Sequence, residues 1–160
     1  MRAQGEGRIV QISSILGIVC FAYRGAYNSA KFALEALSDT LRLELRDANI
    51  YVSLIEPGPI ESRFRANAYA AFRRNIDREH SVYREYYARV EKRLEGSRPL
   101  PFTLPPEAVL KKVIHALEAR WPKARYGVTF PTHLFAVLRR LLPVRVLDRI
   151  LSATSNGGRR

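Results

Sequence analysis

The sequence predicts an α/β fold with parallel strands, and three observations carry that prediction. A β-branched run bounded by glycine, "GRIVQISS" at 7–14, is followed by a long helical pattern and then by a second run, "IYVSLIEPGPI" at 50–60. Strand, helix and strand in that order imply a parallel pair joined by a right-handed crossover.

The first run reads as a buried strand that ends at two serines. From Ala26 to Arg46, the residues Ala30, Leu34, Leu37, Leu41 and Leu45 recur every three or four positions, as one packed helix face does. The second strand closes at Pro57 and Gly58, which cannot continue a ladder. Residues 61–98 differ: ten Lys/Arg, six Asp/Glu and the aromatics Phe64, Tyr69, Phe72, Tyr83, Tyr86 and Tyr87 predict a mobile or surface helix. "PLPFTLPPEAV" at 99–109 is a proline-rich joint into a helix from Glu107 to Arg120, with proline near the start, where its missing N–H is harmless. "RYGVTF" at 125–130 predicts a third strand. "PTHLFAVLRRLLPVRVLDRIL" then predicts two helices broken at Pro143, and "SATSNGGRR" a frayed tail.

With 160 residues and 47% apolar content, the chain is expected to form one soluble globular domain with a sizeable core. The single cysteine, Cys20, excludes an internal disulfide framework and a Cys-rich metal site. His80, His115 and His133 stand far apart in no ligand-like spacing, so solvated or packed histidines and no metal are expected. The N-terminus lacks the apolar run of a secretory signal, and no run of ~18 apolar residues could span a bilayer, which predicts a cytoplasmic protein.

The charge is more informative: 27 Lys+Arg against 15 Asp+Glu gives +12, which points towards nucleic acid or an anionic membrane. Nucleic acid is disfavoured, because the basic residues are mixed with acids and no binding module accompanies them. Arg139, Arg140, Arg145 and Arg149 interleave with apolar residues near the C-terminus, the composition of a helix lying on an anionic bilayer. A helix covering the sheet, or a dimer contact, is the favoured reading of that segment, because Pro143 interrupts the apolar face.

Within "RGAYNSAKFALEAL" at 24–37, Tyr27 and Lys31 stand four apart and share one side of the helix. A cation there favours phenolate over phenol and suits the tyrosine to general acid/base work. Ser14 ends the preceding strand, where open α/β sheets place ligands beyond the carboxyl ends of their strands.

"GRIVQISS", the thirteen-residue step from Ser14 to Tyr27, "YNSAK" and "VSLIEPGPIES" occur in this order, and the ordered set resembles the classical short-chain dehydrogenase/reductases. The resemblance runs from about Gly7 to Ser62, and more loosely through "LPPEAVLKKVIHAL" and "RYGVTF". It implies the C-terminal part of a doubly wound, Rossmann-like parallel sheet, about three strands with flanking helices. It divides the chain into a catalytic core at 7–62, a substrate lid at 63–104 and C-terminal helix, strand and helices at 105–160.

The resemblance also implies an NAD(P)-dependent oxidoreductase that interconverts an alcohol and a carbonyl. Tyr27 would be the acid/base, Ser14 would hydrogen-bond the reacting oxygen, and Lys31 would favour the phenolate and hold the nicotinamide ribose beside Tyr27. The backbone around Pro57, Gly58 and Ile60, with the Ser62 hydroxyl, would meet the nicotinamide end of the cofactor. Ser62 stands where the family usually has threonine, and Gln11 where asparagine is frequent.

The family's glycine-rich turn, its selector of the adenosine ribose and its tetrad asparagine lie upstream of "GRIV", so the choice between NAD and NADP is not readable. A fragment or a late start codon, weak cofactor affinity and an unpaired edge on the first strand are therefore expected. The alternative is an inactive remnant serving as a binding or membrane-surface module. The aromatic lid implies a bulky apolar substrate such as a lipid, a steroid or a retinoid-like molecule, with Phe21 and Tyr23 as further candidates for its pocket. The family also implies a homo-oligomer packed through the helix that carries Tyr27.

Overall fold

The computed structural model describes residues 1–95 and 100–155. Among these residues three parallel strands form one sheet in the order β1 (Gly7–Ile12), β2 (Ile50–Glu56) and β3 (Arg125–Gly127). Gly7 pairs with Ile50 and Ile12 with Ile55, while Leu54 to Glu56 pair with Arg125 to Gly127. Among the described residues six α-helices accompany the sheet: α1 (Gly25–Glu44), α2 (Phe64–Asn75), α3 (Arg84–Glu95), α4 (Glu107–Glu118), α5 (Phe130–Leu141) and α6 (Val144–Ser155). None of the described helices is long and apolar enough to cross a membrane.

The central strand is the buried one. Val52, Leu54 and Ile55 are almost wholly enclosed, because β2 has a strand on each side. β1, expected as a buried strand through Ser14, ends at Ile12 and is only half-buried, with Ile12 46% exposed. It sits at the edge of the sheet with β2 as its partner. The strand expected at 125–130 is also shorter. Val128 still donates its N–H to the Glu56 carbonyl at 3.3 Å, but the strand ends at Gly127, and Pro131 at the start of α5 supplies the fixed φ that suits a first helical turn.

Two cores hold the elements together. Ile55, Ala116 and Tyr126, with Val10, Val109 and Val113, fasten α4 to the sheet. Ile15, Leu16 and Val19 pack with Phe135, Leu147 and Leu151, so α5 and α6 cover the turn beyond β1. A large apolar side chain buried there contributes roughly 2–3 kcal/mol. The C-terminal helices were expected to cover the sheet or form a dimer contact, and it is this turn that they enclose. They break at Pro143 as the sequence predicts, but α6 runs on to Ser155, so Ser152 to Ser155 are helical and not frayed. The rest of the expected tail, 156–160, lies outside the described residues.

α1 is turned part-way from the face expected of it: Leu34, Leu41 and Leu45 are half-buried as the spacing predicts, but the fully buried residues lie to one side of them. Asn28, Glu35 and Ser38 are its buried residues, whereas Ala30 is exposed and Leu37 is 54% exposed. The buried side is a polar stripe, and its partners come from loops and from β3: Asn28 Nδ2 donates to the Phe21 carbonyl at 3.1 Å, and Arg125 reaches Glu35. The acidic and basic stretch at 61–98 forms α2 and α3, with no described residue of either buried. They pair through edge-to-face rings of Phe72 and Tyr87, and Arg78 in the loop between them forms an ion pair with Glu91 of α3.

Candidate functional site

The first three candidates gather around the carboxyl end of β1. Ser14 follows the strand by two residues, is almost fully buried, and accepts a hydrogen bond on Oγ from the Leu16 N–H at 3.1 Å. It therefore caps the single 3-10 turn Ile15–Gly17. Lys31 reaches back from α1 and donates from Nζ to the Ile12 carbonyl at 2.8 Å, with its ammonium 5.7 Å from the centre of the Tyr27 ring. Tyr27 is half-buried in the first turn of α1, against the Ile15–Val19 cluster on one side and the Phe64 ring, 5.7 Å away edge to face, on the other.

The turn after β2 meets this group from the neighbouring strand. The Ser13 N–H donates to the Ile55 carbonyl at 2.7 Å and the Ile15 N–H to the Pro57 carbonyl at 2.8 Å, so the serine turn and the Pro57 turn are laced together. A Cβ at Gly58 would lie 2.0 Å from Thr129 Oγ1, which is why only glycine lets the turn lie against the start of α5. Ile60 bridges to Leu104, and the Glu61 N–H donates to the Leu104 carbonyl at 2.9 Å. The Ser62 hydroxyl is exposed and accepts from the Phe64 N–H at 3.4 Å, ahead of α2.

Of the two further aromatic candidates, Phe21 packs edge to face on Phe135 with centroids 6.2 Å apart, on the core cluster and not on a lid. Tyr23 stacks on Tyr86 of α3 at 3.7 Å and meets Tyr83 at 5.5 Å. Its φ of 61° lies in the left-handed region, unusual for a bulky residue.

Beneath these residues lies a charge cluster that the sequence reading missed. Arg125 contacts Glu35 at 3.1 Å, Asp39 at 2.8 Å and Glu56 at 3.2 Å. Burial, reinforced by the charge of Glu35 and partly offset by Arg125, pushes the Glu56 carboxyl up to about 7. The hydrogen bond from Arg125 holds Asp39 below the usual carboxylate range, and the same acids raise Arg125. The available signals were a carboxylate ending an otherwise apolar strand, at Glu56, and one a single helical turn beyond Lys31, at Glu35. Asn28 was also missed; its Oδ1 is buried without a hydrogen-bond partner.

Residues 1–72 match the family model described as short chain dehydrogenase. The chain is 47% identical over 158 residues to an uncharacterized oxidoreductase, YbbO, of Escherichia coli, covering 94% of this chain and 50% of that protein. It is 36% identical over 148 residues to an NADPH-dependent 3-dehydrocapnine reductase of Ornithobacterium rhinotracheale, covering 92% and 50%. Among solved structures, a short-chain dehydrogenase from Streptomyces avermitilis superposes with a TM-score of 0.63 at 24% identity, covering 99% of this chain and 55% of the other, a likeness of fold. The chain thus spans about half the length of the curated relatives it matches. With its parallel α/β sheet and these matches along most of its length, the chain belongs to the short-chain dehydrogenase/reductase family.

Proposed function

We propose that this chain carries the reacting end of an NAD- or NADP-dependent oxidoreductase that interconverts an alcohol and a carbonyl. The observation that carries the reading is the anchoring of Lys31 on Ile12 with its ammonium beside the Tyr27 ring, at the carboxyl end of a parallel strand. The nicotinamide cofactor, when bound, supplies or accepts the hydride. Tyr27 gives its proton to the carbonyl oxygen in reduction and takes the hydroxyl proton in oxidation. Ser14 turns its hydroxyl proton to the same oxygen, since its Oγ accepts from the Leu16 N–H and, among the described residues, its own proton is not committed to an acceptor.

The donor set suits the nicotinamide end. An ammonium has three donors, and the described bond to Ile12 uses one, which leaves Lys31 able to hold a ribose diol. The backbone of Pro57, Gly58 and Ile60 and the exposed Ser62 hydroxyl border the same edge of the sheet. One relative is named as NADPH-dependent.

Residues 63–104 form the substrate lid in this reading. Phe64 on Tyr27 and Tyr86 on Tyr23 line the reacting end with aromatic surface, which suits a bulky apolar alcohol or ketone. The open face of α1, with Ala30, Ala33 and Leu37 outward, suits packing against a second copy of the chain. The test is turnover of NADH and NADPH with a panel of bulky apolar ketones. Tyr27→Phe should cut it by about 10²–10⁴-fold, and full activity in that variant overturns the assignment.

A second reading, contact with an anionic membrane, is favoured by one surface. Phe130, Leu134, Val137 and Leu141 stand exposed along one side of α5, followed by Val144, with Arg140 and Arg145 exposed nearby. Sedimentation with anionic vesicles but not with neutral ones supports it, and loss of sedimentation in Leu134→Ser/Leu141→Ser places it on α5. Equal sedimentation with both vesicle types, or with neither, removes it.

A further inference from the structure

Three carboxylates share one guanidinium below the candidate site, and none of them is used by the proton transfer proposed above. Arg125 projects from β3 and bridges Glu35 and Asp39 on α1 to Glu56, the last residue of β2. Asp39 has a second cation, Arg42, at 3.1 Å. That leaves Glu35 and Glu56, with side chains only 10% and 6% exposed, facing a single shared arginine. The charge of Arg140 on α5 also bears on Glu56. Two ionised carboxylates enclosed together repel strongly, and such pairs commonly keep one proton.

The unsatisfied oxygens point the same way. Glu35 Oε1 and Ser13 Oγ are buried without hydrogen-bond partners. Glu56 Oε1 also makes no hydrogen bond, its 3.2 Å contact with Arg125 Nε being an ion pair without hydrogen-bond alignment. A Cβ at Gly17 would lie 2.7 Å from Ser13 Oγ and 3.2 Å from Glu35 Oε1, so these two oxygens converge on the backbone of the turn that Ser14 caps. One carboxyl proton and the Ser13 hydroxyl proton supply two donors for these orphaned acceptors.

We infer that Glu56 keeps its proton beside Glu35 and that the two act, with Arg125 and Ser13, as positioning residues that set the Tyr27 helix against the Ser14 and Pro57–Gly58 turns. Each member sits on a different piece of the candidate site: Ser13 beside Ser14, Glu35 one helical turn beyond Lys31, Glu56 directly before Pro57, and Arg125 on the strand that pairs with β2. Loss of the Glu56 proton places a further negative charge beside Glu35 and Asp39 and pushes α1 away from the end of β2. The push of Glu56 towards neutrality by burial and by Glu35 fits this exchange. The inference rests on the reading of Tyr27 as acid/base.

The test is a pH titration of the full chain labelled with ¹³C at the glutamate carboxyls and at the tyrosine Cζ, followed by NMR. The expected result is one glutamate signal, absent from Glu56→Gln, that titrates near neutral pH, with the Tyr27 signal, identified by its loss in Tyr27→Phe, moving at the same midpoint. Glu35→Gln should lower the Glu56 midpoint by about one pH unit or more, and Glu56→Gln should abolish the neutral step at Tyr27. Should Glu56→Gln not fold, the wild-type titration and Glu35→Gln decide the matter. A Glu56 midpoint in the ordinary carboxylate range, or a Tyr27 signal flat across the Glu56 titration, overturns the inference. Neither readout uses turnover, so an inactive chain with the common midpoint counts against the oxidoreductase reading and for the proton on Glu56.

Discussion

Lys31 Nζ lies 2.8 Å from the carbonyl oxygen of Ile12, so the helix that carries Tyr27 is tied to the last residue of β1. The bond uses a strand-end carbonyl as acceptor and places a positive charge beside the tyrosine ring. It is a long-range contact that the helical spacing of Tyr27 and Lys31 does not contain.

Replacing Lys31 by methionine should keep the helix and remove both effects. The expected loss is about 1 kcal/mol of stability, in line with one part-exposed hydrogen bond, and a far larger fractional loss of NAD(P)H turnover than of stability. Denaturant melts together with steady-state rates check this; unchanged turnover would sever Lys31 from the reaction.

Gly58→Ala should destabilise the chain by at least the ~1–3 kcal/mol typical of overpacking. The added Cβ falls 2.0 Å from Thr129 Oγ1 and 3.0 Å from Thr132 Oγ1, and both threonines are fully buried, so neither can swing into solvent. Combining Gly58→Ala with Thr129→Ser leaves that oxygen in place and should recover little, whereas Thr129→Ala should recover most of the loss. Thermal melts of the four proteins decide it.

Stability should fall as pH rises towards neutrality, the reverse of what an exposed carboxylate produces. The folded Glu56 carboxyl titrates at about 7 against an ordinary 4.5. Its contribution is therefore fully present below about 4.5 and lost as pH climbs through about 7, an effect of order 3 kcal/mol. Asp39 works in the other direction, since its lowered value makes its contribution present above 3.8 and lost in stronger acid. Urea melts of wild type and Glu56→Gln between these limits should show the descending limb in the first protein and its loss in the second.

Phe135→Ala should cost about 3–5 kcal/mol. The ring is buried between Ile15, Leu16, Val19 and α6, and meets Phe21 edge to face. Because that cluster also carries Tyr27, the variant should lose cofactor-dependent turnover at temperatures where wild type is still active. Circular dichroism melts and rates measured on the same samples separate the two effects.

Particular residues mark how far sequence reasoning reached. The strand, helix and strand order, the break at Pro143 and the first turn of α1 were legible, because glycine, proline and β-branched runs act locally on the backbone. The buried face of α1 was read in part: Leu34, Leu41 and Leu45 are half-buried, but Leu37 is turned to solvent and Glu35 inward. Spacing identifies a face and not what covers it, and the cover here comes from Arg125, 90 residues away from Glu35 in the chain. The last two residues of the expected third strand became the start of α5 for a similar reason. Thr129 packs against Gly58, a contact between segments that no local pattern links.

The sequence by itself determined the family, the parallel α/β class and the order Ser14, Tyr27, Lys31, Pro57 and Gly58, because these depend on residue type and spacing along one chain. The tertiary structure decided which of those residues meet: Lys31 on Ile12, Pro57 on Ile15, and Arg125 among Glu35, Asp39 and Glu56. It also decided which carboxyl carries a raised affinity for its proton. That property follows from burial and from the nearness of other charges, and both arise only when distant segments pack together.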